Sequence, residues 1–250
     1  MTDTLTSAPE HGHATFLFSE LALDLYNLKA DIAFLGIPYG HPYTIRNVSN
    51  DQSNGPTAVR QASDRVSRSL ERYDFDIGGP LFDDRPIRMV DCGDVVGEMH
   101  DPSSHSRRAE EAMRKIVASG AMPLVIGGDH AIPIPVLKAL DGEGPLILVQ
   151  IDAHIDWRDD VGGVREGLSS PIRRASEMAH VTEIFQIGIR SQGSARRADV
   201  EAAKAYGANI VTAYELHDVG MDAILARIPD NARYYITIDA DGLDPSIMPA

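Results

Sequence analysis

Seven short segments rich in isoleucine, valine and leucine recur along the chain, and most of them close with glycine, aspartate or proline. They span residues 31–39, 87–95, 122–130, 145–154, 183–190, 208–214 and 232–245. Runs of this length and composition are typical of β-strands. Their near-continuous apolarity favours strands buried on both faces, as in a parallel sheet covered by helices.

Segments with helical spacing of apolar residues lie between these strands, at 55–73, 104–120, 195–207 and 221–228. Two of them end in Gly120 and Gly207, a common C-terminal stop signal for helices. Strands that alternate with helices indicate βαβ units and therefore an α/β fold with a mostly parallel sheet. We find no internal repeat and no linker, so the pattern predicts one domain over 30–250 after an N-terminal extension over 1–29.

Three predicted strands end in clusters of polar residues, at the sequences GGDH (127–130), DAHID (152–156) and DADGLD (239–244). In open α/β sheets, ligands bind outside the carboxyl ends of the strands. Side chains alternate along an extended chain, so Asp152, His154 and Asp156 should share one side of their strand. The same spacing should bring Asp239 and Asp241 together.

These clusters predict a metal site with six ligands: His130, Asp152, His154, Asp156, Asp239 and Asp241. Four carboxylates packed together are costly unless cations compensate them. Mixed aspartate and histidine ligation suits Mn²⁺, with Ni²⁺, Co²⁺, Fe²⁺ and Zn²⁺ as alternatives. Six ligands fit two bridged ions, roughly 3.5–4 Å apart, better than one. A single aspartate at a strand end is more often a turn former or helix cap, but the coincidence of three clusters favours a binuclear site.

The overall charge narrows the range of partners. A formal net charge of −14 argues against nucleic acid as a partner, because binding of phosphate needs a basic surface. The acidic surface serves solubility or attracts cationic substrates.

Cys92 is the single cysteine, so no intramolecular disulfide is expected, and no apolar run reaches the roughly 20 residues of a membrane span. The N-terminus lacks a signal-peptide pattern, which predicts a cytoplasmic protein. His11 and His13 are a weaker metal-binding candidate in the extension.

The three polar motifs resemble, in order and spacing, the metal motifs of the ureohydrolase family, which includes arginases and agmatinases. The stretch over 34–63 also resembles that family's N-terminal strand, loop and helix. The resemblance implies a three-layer α/β/α fold with a sheet of about eight strands, shared with histone deacetylases. It also implies two manganese ions and hydrolysis of a C–N bond in a guanidino or amidino group, with release of urea.

The resemblance assigns roles to the six ligands. One metal would be bound by His130, Asp152, Asp156 and Asp239, and the other by Asp152, His154, Asp239 and Asp241. Asp152 and Asp239 would bridge the two ions. Asp156 would be the catalytic residue that hydrogen-bonds the bridging hydroxide.

Three features depart from the family pattern. Leu168 stands where arginases and agmatinases carry a proton-shuttling histidine, and leucine transfers no proton. Glu166 is a candidate substitute, or else a solvated helix cap. Trp157 either stacks on a planar guanidinium as a substrate contact or packs beneath a loop. The chain ends just past the last motif, so the family's C-terminal stretch, with a final strand and a carboxylate for the guanidinium, is expected to be lacking.

The function predicted is therefore that of an agmatinase-like, metal-dependent hydrolase for a small cationic guanidino substrate. Agmatine, guanidino acids, free guanidine, and substituted guanidines or biguanides such as metformin all remain open, with Mn²⁺ as the expected ion and Ni²⁺ as the alternative. The competing interpretation is a catalytically weak, metal-binding subunit that supports an active paralogue. A deacetylase on the related fold is the third. The resemblance also predicts a homo-oligomer.

Overall fold

The computed structural model describes residues 4–9, 14–44, 51–97 and 101–248. It consists of two compact units, Met1–Ala139 and Leu140–Ala250. Each unit contains a hydrogen-bonded sheet of its own. The single domain over 30–250 stays a prediction. His11 and His13 lie outside the described residues.

The amino-terminal unit contains a sheet of five strands: β1 (Thr6–Ser7), β2 (Glu20–Leu21), β3 (Ile32–Ile37), β4 (Met89–Val95) and β5 (Met122–Gly127). The order is β1-β4-β3-β5, and β2 also pairs with β4. Only the β1–β4 pair is antiparallel among these described pairs. Because β1 and β2 lie within residues 1–29, the described part of the predicted extension contributes to this sheet.

In the described part of this unit, the α-helices are α1 (Gly55–Ser67), α2 (Pro102–Ala118) and α3 (Pro133–Ala139). Helix α2 begins at a proline after Asp101, whose carboxylate accepts a hydrogen bond from the Ser104 N–H at 2.9 Å. Helix α1 carries Arg60, which is completely buried and forms ion pairs with two aspartates of β4. A buried guanidinium is tolerated here because carboxylates partner it.

The carboxyl-terminal unit contains a four-stranded sheet of β6 (Leu146–Ile151), β7 (Val181–Ile189), β8 (Asn209–Thr212) and β9 (Tyr234–Ile238). All its pairs are parallel, in the order β8-β7-β6-β9. Its helices are α4 (Pro171–Ala175), α5 (Arg197–Tyr206), α6 (Ala213–Val219) and α7 (Met221–Leu225). One face of the sheet packs into a core of Ile147, Val149, Phe185, Ile187, Val211 and Ile224.

The α/β class and the dominance of parallel strands are confirmed, and all seven predicted strands and four predicted helices are present. Most have shorter bounds than predicted, whereas β7 and α2 each begin two residues earlier than predicted. The strands of the described residues number nine, in sheets of five and four, which agrees approximately with the predicted count of about eight. β1 and β2 have two residues each, too few to produce a hydrophobic period, and the short helices α3, α4 and α6 were not predicted either. Among the described residues, no helix combines the length and apolarity needed to cross a bilayer.

Candidate metal centre

Two strands of the carboxyl-terminal unit end at the same level and place acidic residues side by side. β6 and β9 are parallel neighbours, and their last residues, Ile151 and Ile238, are register partners. Asp152 and Asp239 directly follow these positions. The N–H of Asp239 donates to the carbonyl oxygen of Ile151 at 2.9 Å, which continues the pairing by one residue. The register of this strand pair therefore brings two of the predicted ligands to one edge of the sheet.

Beyond β6 the chain turns instead of continuing as a strand. The Oδ1 atom of Asp152 accepts a hydrogen bond from the backbone N–H of His154 at 2.7 Å, an arrangement typical of an Asx turn. Asp156 has a φ of +44°, in the left-handed region that non-glycine residues seldom adopt. The expectation of an extended stretch over 152–156 is therefore wrong, since alternation of side chains ends where the strand ends.

The turn nevertheless brings three ligand atoms together. One atom each from Asp152, His154 and Asp241 lies within 4.8 Å of the other two. The Nδ1 atom of His154 is 3.2 Å from Oδ2 of Asp241 and 3.7 Å from Oδ1 of Asp152. Two carboxylates and one imidazole are a donor set suited to a divalent transition metal. This part of the predicted site thus has the geometry of a metal-binding group.

Electrostatics at this group also favour a cation. Burial, together with the negative charges of Asp239 and Asp152, raises the pKa of the Asp241 carboxyl above its ordinary value. Asp152 itself is almost fully buried. A divalent ion would offset both the repulsion between carboxylates and the loss of their hydration.

The remaining predicted ligands occupy varied positions. Asp239 is half-buried, and its Oδ1 accepts a hydrogen bond from the Asp241 N–H at 3.1 Å. Asp156 is buried, and its backbone carbonyl accepts from the Arg173 N–H at 3.2 Å. Neither belongs to the group of Asp152, His154 and Asp241. His130 is half-buried in the amino-terminal unit, three residues after β5 ends. The roles of these three residues as ligands stay predictions.

The predicted substrate contacts lie in the segment that follows Asp156. Trp157 is 1% exposed, and its ring centroid is 5.6 Å from that of Tyr206. This burial favours the packing role that the sequence left open as the alternative. Glu166 is half-buried, whereas Leu168 is 36% exposed. Contact of Trp157 or Glu166 with substrate stays a prediction.

Two glycines that sequence reasoning did not single out shape the site through close approach. A Cβ atom on Gly242 would lie 2.7 Å from the backbone nitrogen of Asp152. A Cβ atom on Gly193 would lie 2.2 Å from Cδ2 of the His154 ring. Only glycine allows such contacts without a shift of the neighbouring chain. A glycine within the DADG sequence was the available signal for the first of them.

Arg190, at the end of β7, was also missed. Its guanidinium donates hydrogen bonds to the carbonyl oxygens of Gly242 at 3.2 Å and Leu243 at 2.9 Å, and also to that of Asp241. A further bond reaches the Gly188 carbonyl at 3.1 Å. Arg190 therefore holds the turn that carries Asp239 and Asp241 against the end of β7. An arginine that follows an apolar strand carries no sequence signal of that role.

Comparison with known proteins places these features in a family. The model of the arginase family matches residues 30–250. The mitochondrial agmatinase of Gallus gallus is 32% identical over 225 residues, which make up 88% of this chain and 63% of that protein. A guanidinobutyrase of Pseudomonas aeruginosa is 28% identical over 225 residues, with coverage of 88% and 67%. The X-ray structure of a hypothetical agmatinase from Burkholderia thailandensis has a TM-score of 0.74 at 28% identity, with coverage of 98% and 74%.

The chain spans 63% of the length of the chicken relative and 67% of the length of the bacterial one. The family match, by contrast, extends from residue 30 to residue 250 and includes all three polar motifs. The family resemblance indicated by those motifs is thereby confirmed, and the chain belongs to the arginase family.

Proposed function

We propose that this protein is a metal-dependent amidinohydrolase that cleaves a C–N bond of a guanidino compound and releases urea. The observation that carries the proposal is the group of Asp152, His154 and Asp241, whose ligand atoms lie within 4.8 Å of one another at the carboxyl end of the sheet. Membership of the arginase family supports the assignment of this group to metal-dependent hydrolysis.

The ligand set we propose comprises the group of Asp152, His154 and Asp241, completed by His130, Asp156 and Asp239. We assign two divalent ions to it, with Mn²⁺ as the first choice and Ni²⁺ as the alternative. Bound divalent ions of this kind lower the pKa of water towards about 7 and so supply a hydroxide nucleophile at neutral pH. Asp152 and Asp239, the residues that leave β6 and β9 at the same level, are the ligands that we propose would be shared by the two ions when they bind.

Asp156 is the residue to which we assign orientation of the nucleophile by hydrogen bonding. Its side chain is buried, and its left-handed backbone conformation has a cost of order 1 kcal/mol that the surrounding structure must sustain. The bond from the Arg173 N–H to the Asp156 carbonyl supports this conformation. Strain of this kind is often found at functional sites, which is consistent with the proposed role.

The substrate class we propose is a small cation with a guanidino or amidino group. Two relatives of this chain are an agmatinase and a guanidinobutyrase, whose names point to two different guanidino compounds. The net charge of −14 favours the approach of cations. Agmatine, guanidino acids, free guanidine and metformin are therefore the compounds to compare.

The experiment is a urea-release assay with purified protein loaded with Mn²⁺ or Ni²⁺, run over that panel of compounds. We expect turnover of at least one compound, and its loss in Asp152→Asn together with a loss of metal affinity of at least about 100-fold, because a ligand contributes more than the 10–100-fold typical of an outer-shell partner. Asp230→Asn is the matched control, because Asp230 is exposed on the surface. Full activity in Asp152→Asn would overturn the proposed site.

Glu166→Gln belongs in the same assay as a test of proton donation. A selective fall in turnover with unchanged metal affinity would support Glu166 as the group that compensates for Leu168. If the protein binds metal tightly but turns over nothing until a paralogous chain is added, the supporting-subunit interpretation is correct. The oligomeric state measured in the same preparations tests the expected homo-oligomer.

A further inference from the structure

Two glutamines interrupt the apolar strands of the carboxyl-terminal unit directly beneath the candidate metal centre. Gln150 of β6 and Gln186 of β7 are register partners on adjacent parallel strands. Neither has any solvent-exposed surface. A buried amide costs free energy unless its hydrogen bonds are made, so two buried glutamines at one level of a sheet call for an explanation.

The amide of Gln150 reaches the predicted metal ligand. Its Nε2 atom donates to Oδ2 of Asp152 at 2.5 Å and to the carbonyl oxygen of His154 at 3.3 Å. The other carboxylate oxygen of Asp152, Oδ1, accepts from the His154 N–H at 2.7 Å. Each oxygen of Asp152 therefore has a donor of its own, and the plane of the carboxylate is held by both. Both of these donors are neutral groups, so neither of them brings a positive charge to the carboxylate.

Gln186 determines which way the Gln150 amide faces. Its Nε2 atom donates to Oε1 of Gln150 at 2.5 Å and to the carbonyl oxygen of Ile155 at 2.7 Å. With a donor opposite its oxygen, Gln150 must present its NH₂ group to Asp152. If the Gln150 amide were rotated by 180°, its oxygen would face both the carboxylate and the His154 carbonyl, and its NH₂ group would face the NH₂ group of Gln186. Three repulsive contacts would then replace three hydrogen bonds.

We propose that Gln186 and Gln150 are positioning residues that act in series, Gln186 through Gln150, to orient the Asp152 carboxylate for metal binding. This inference rests on the proposed metal-dependent function. It extends that function to β7, a strand that supplies none of the predicted ligands. Outer-shell partners of this kind contribute about 10–100-fold to metal affinity.

The test measures Mn²⁺ affinity by isothermal titration in Gln150→Met, Gln186→Met and the double variant. Methionine is unbranched and fills the same space without hydrogen bonds. We expect about 10–100-fold weaker binding in Gln150→Met and a smaller loss in Gln186→Met. Because the two glutamines act in series, the double variant should bind no more weakly than Gln150→Met alone. Losses that multiply, or wild-type affinity in Gln150→Met, would overturn the proposal.

Phe185→Leu is the matched control for general destabilisation. Phe185 precedes Gln186 on β7 and lies in the core on the other face of the sheet. This variant should lower the melting temperature while Mn²⁺ affinity stays at the wild-type value. If Gln186→Met does not fold, Gln186→Asn keeps an amide but shortens its reach by one methylene, and it should show the same loss of affinity.

Asp152→Asn distinguishes failure of the proposed positioning role of Gln150 and Gln186 from failure of the proposed metal site. Wild-type Mn²⁺ affinity in Asp152→Asn would overturn the proposed metal site itself. Loss of Mn²⁺ affinity in Asp152→Asn combined with unchanged Mn²⁺ affinity in the glutamine variants would overturn only the positioning role of the two glutamines. In the Asp152→Asn background, Gln186→Met should have no further effect on metal affinity.

Discussion

Each unit buries an aspartate on or directly after a parallel strand, but the two units partner these aspartates in different ways. In the amino-terminal unit, Arg60 binds Asp91 through two hydrogen bonds of 2.8 and 3.0 Å and binds Asp94 at 2.7 Å. In the carboxyl-terminal unit, Asp152 accepts from the amide of Gln150 and from the backbone N–H of His154. One cluster contains its own cation, whereas these donors to Asp152 are neutral.

The arginine of the second unit makes the contrast clearer. Arg190 lies beside the turn that carries Asp239 and Asp241, yet the bonds described above go from its guanidinium to backbone carbonyls. It therefore braces the turn through the backbone, and the pKa of Asp241 stays raised by burial and by Asp239 and Asp152. In a self-contained buried ion cluster, removal of one partner destabilises the fold because it leaves an unpaired buried charge. A cluster of mutually repelling carboxylates on a braced backbone is suited to bind a cation from solution.

The largest effect is expected from Arg60→Met. The change leaves Asp91 buried without its guanidinium, which should lower the free energy of unfolding by about 3–5 kcal/mol. Urea unfolding followed by circular dichroism measures this loss, and isothermal titration should show unchanged Mn²⁺ affinity. Arg65→Met is the matched control, because Arg65 is exposed on the same helix and its replacement should stay within about 0.5 kcal/mol of wild type. Equal free energies of unfolding for Arg60→Met and Arg65→Met would contradict the view that the guanidinium of Arg60 is needed to compensate the buried Asp91.

A smaller effect is expected from Gly242→Ala. The added Cβ would lie 2.7 Å from the nitrogen of Asp152 and from the carbonyl oxygen of Ile151, so the turn must move away from β6. Overpacking of this kind costs about 1–3 kcal/mol, and displacement of Asp239 and Asp241 should weaken Mn²⁺ binding as well. Gly79→Ala is the control, because a Cβ there would have only the Oδ1 of Asp83 near it, at 4.0 Å. Wild-type metal affinity in Gly242→Ala would argue against the placement of the turn.

Asp241→Asn should change stability and metal binding in opposite directions. Loss of one repelling charge should raise the melting temperature of the metal-free protein slightly, since solvent screens a side chain that is 36% exposed. Mn²⁺ affinity should fall at least about 100-fold, because a ligand contributes more than the 10–100-fold typical of an outer-shell partner. Thermal unfolding with and without Mn²⁺ measures both effects, with Asp230→Asn as the control. A lower melting temperature of the metal-free variant would contradict the view that this cluster is repulsive.

The smallest effect concerns the reactivity of Cys92 on β4. Burial, with a contribution from the charge of Asp91, raises the pKa of this thiol to about 12. Because the thiolate is the reactive form and the side chain is fully buried, iodoacetamide should label the native protein very slowly at pH 8. Labelling should be rapid in urea and faster in Arg60→Met than in wild type. Rapid labelling of the native protein would show that Cys92, and with it the region of β4 around Asp91, is accessible to solvent.

The candidate metal centre was predictable from sequence in its composition more than in its geometry. Asp152, His154 and Asp241 follow apolar strands in an order that is legible along the chain, so their grouping could be expected. The left-handed backbone conformation of Asp156 could not be expected from the sequence, because such a conformation in a non-glycine residue depends on how the surrounding loop packs. Trp157 is a second example, because the sequence allowed it either to stack on the substrate or to pack beneath a loop. Its burial favours packing.

The sequence by itself determined the α/β class, the seven longer strands and the residues at which they end, because hydrophobic periodicity and the positions of turn-forming residues are local properties. Only the tertiary structure decided that the strands form two sheets, that Ile151 and Ile238 are in register, and that Gln186 and Arg190 support the candidate site from β7. The physical reason is that hydrogen-bond register and buried amide orientation depend on partners far apart in sequence, whose pairing is settled only when the chain is packed.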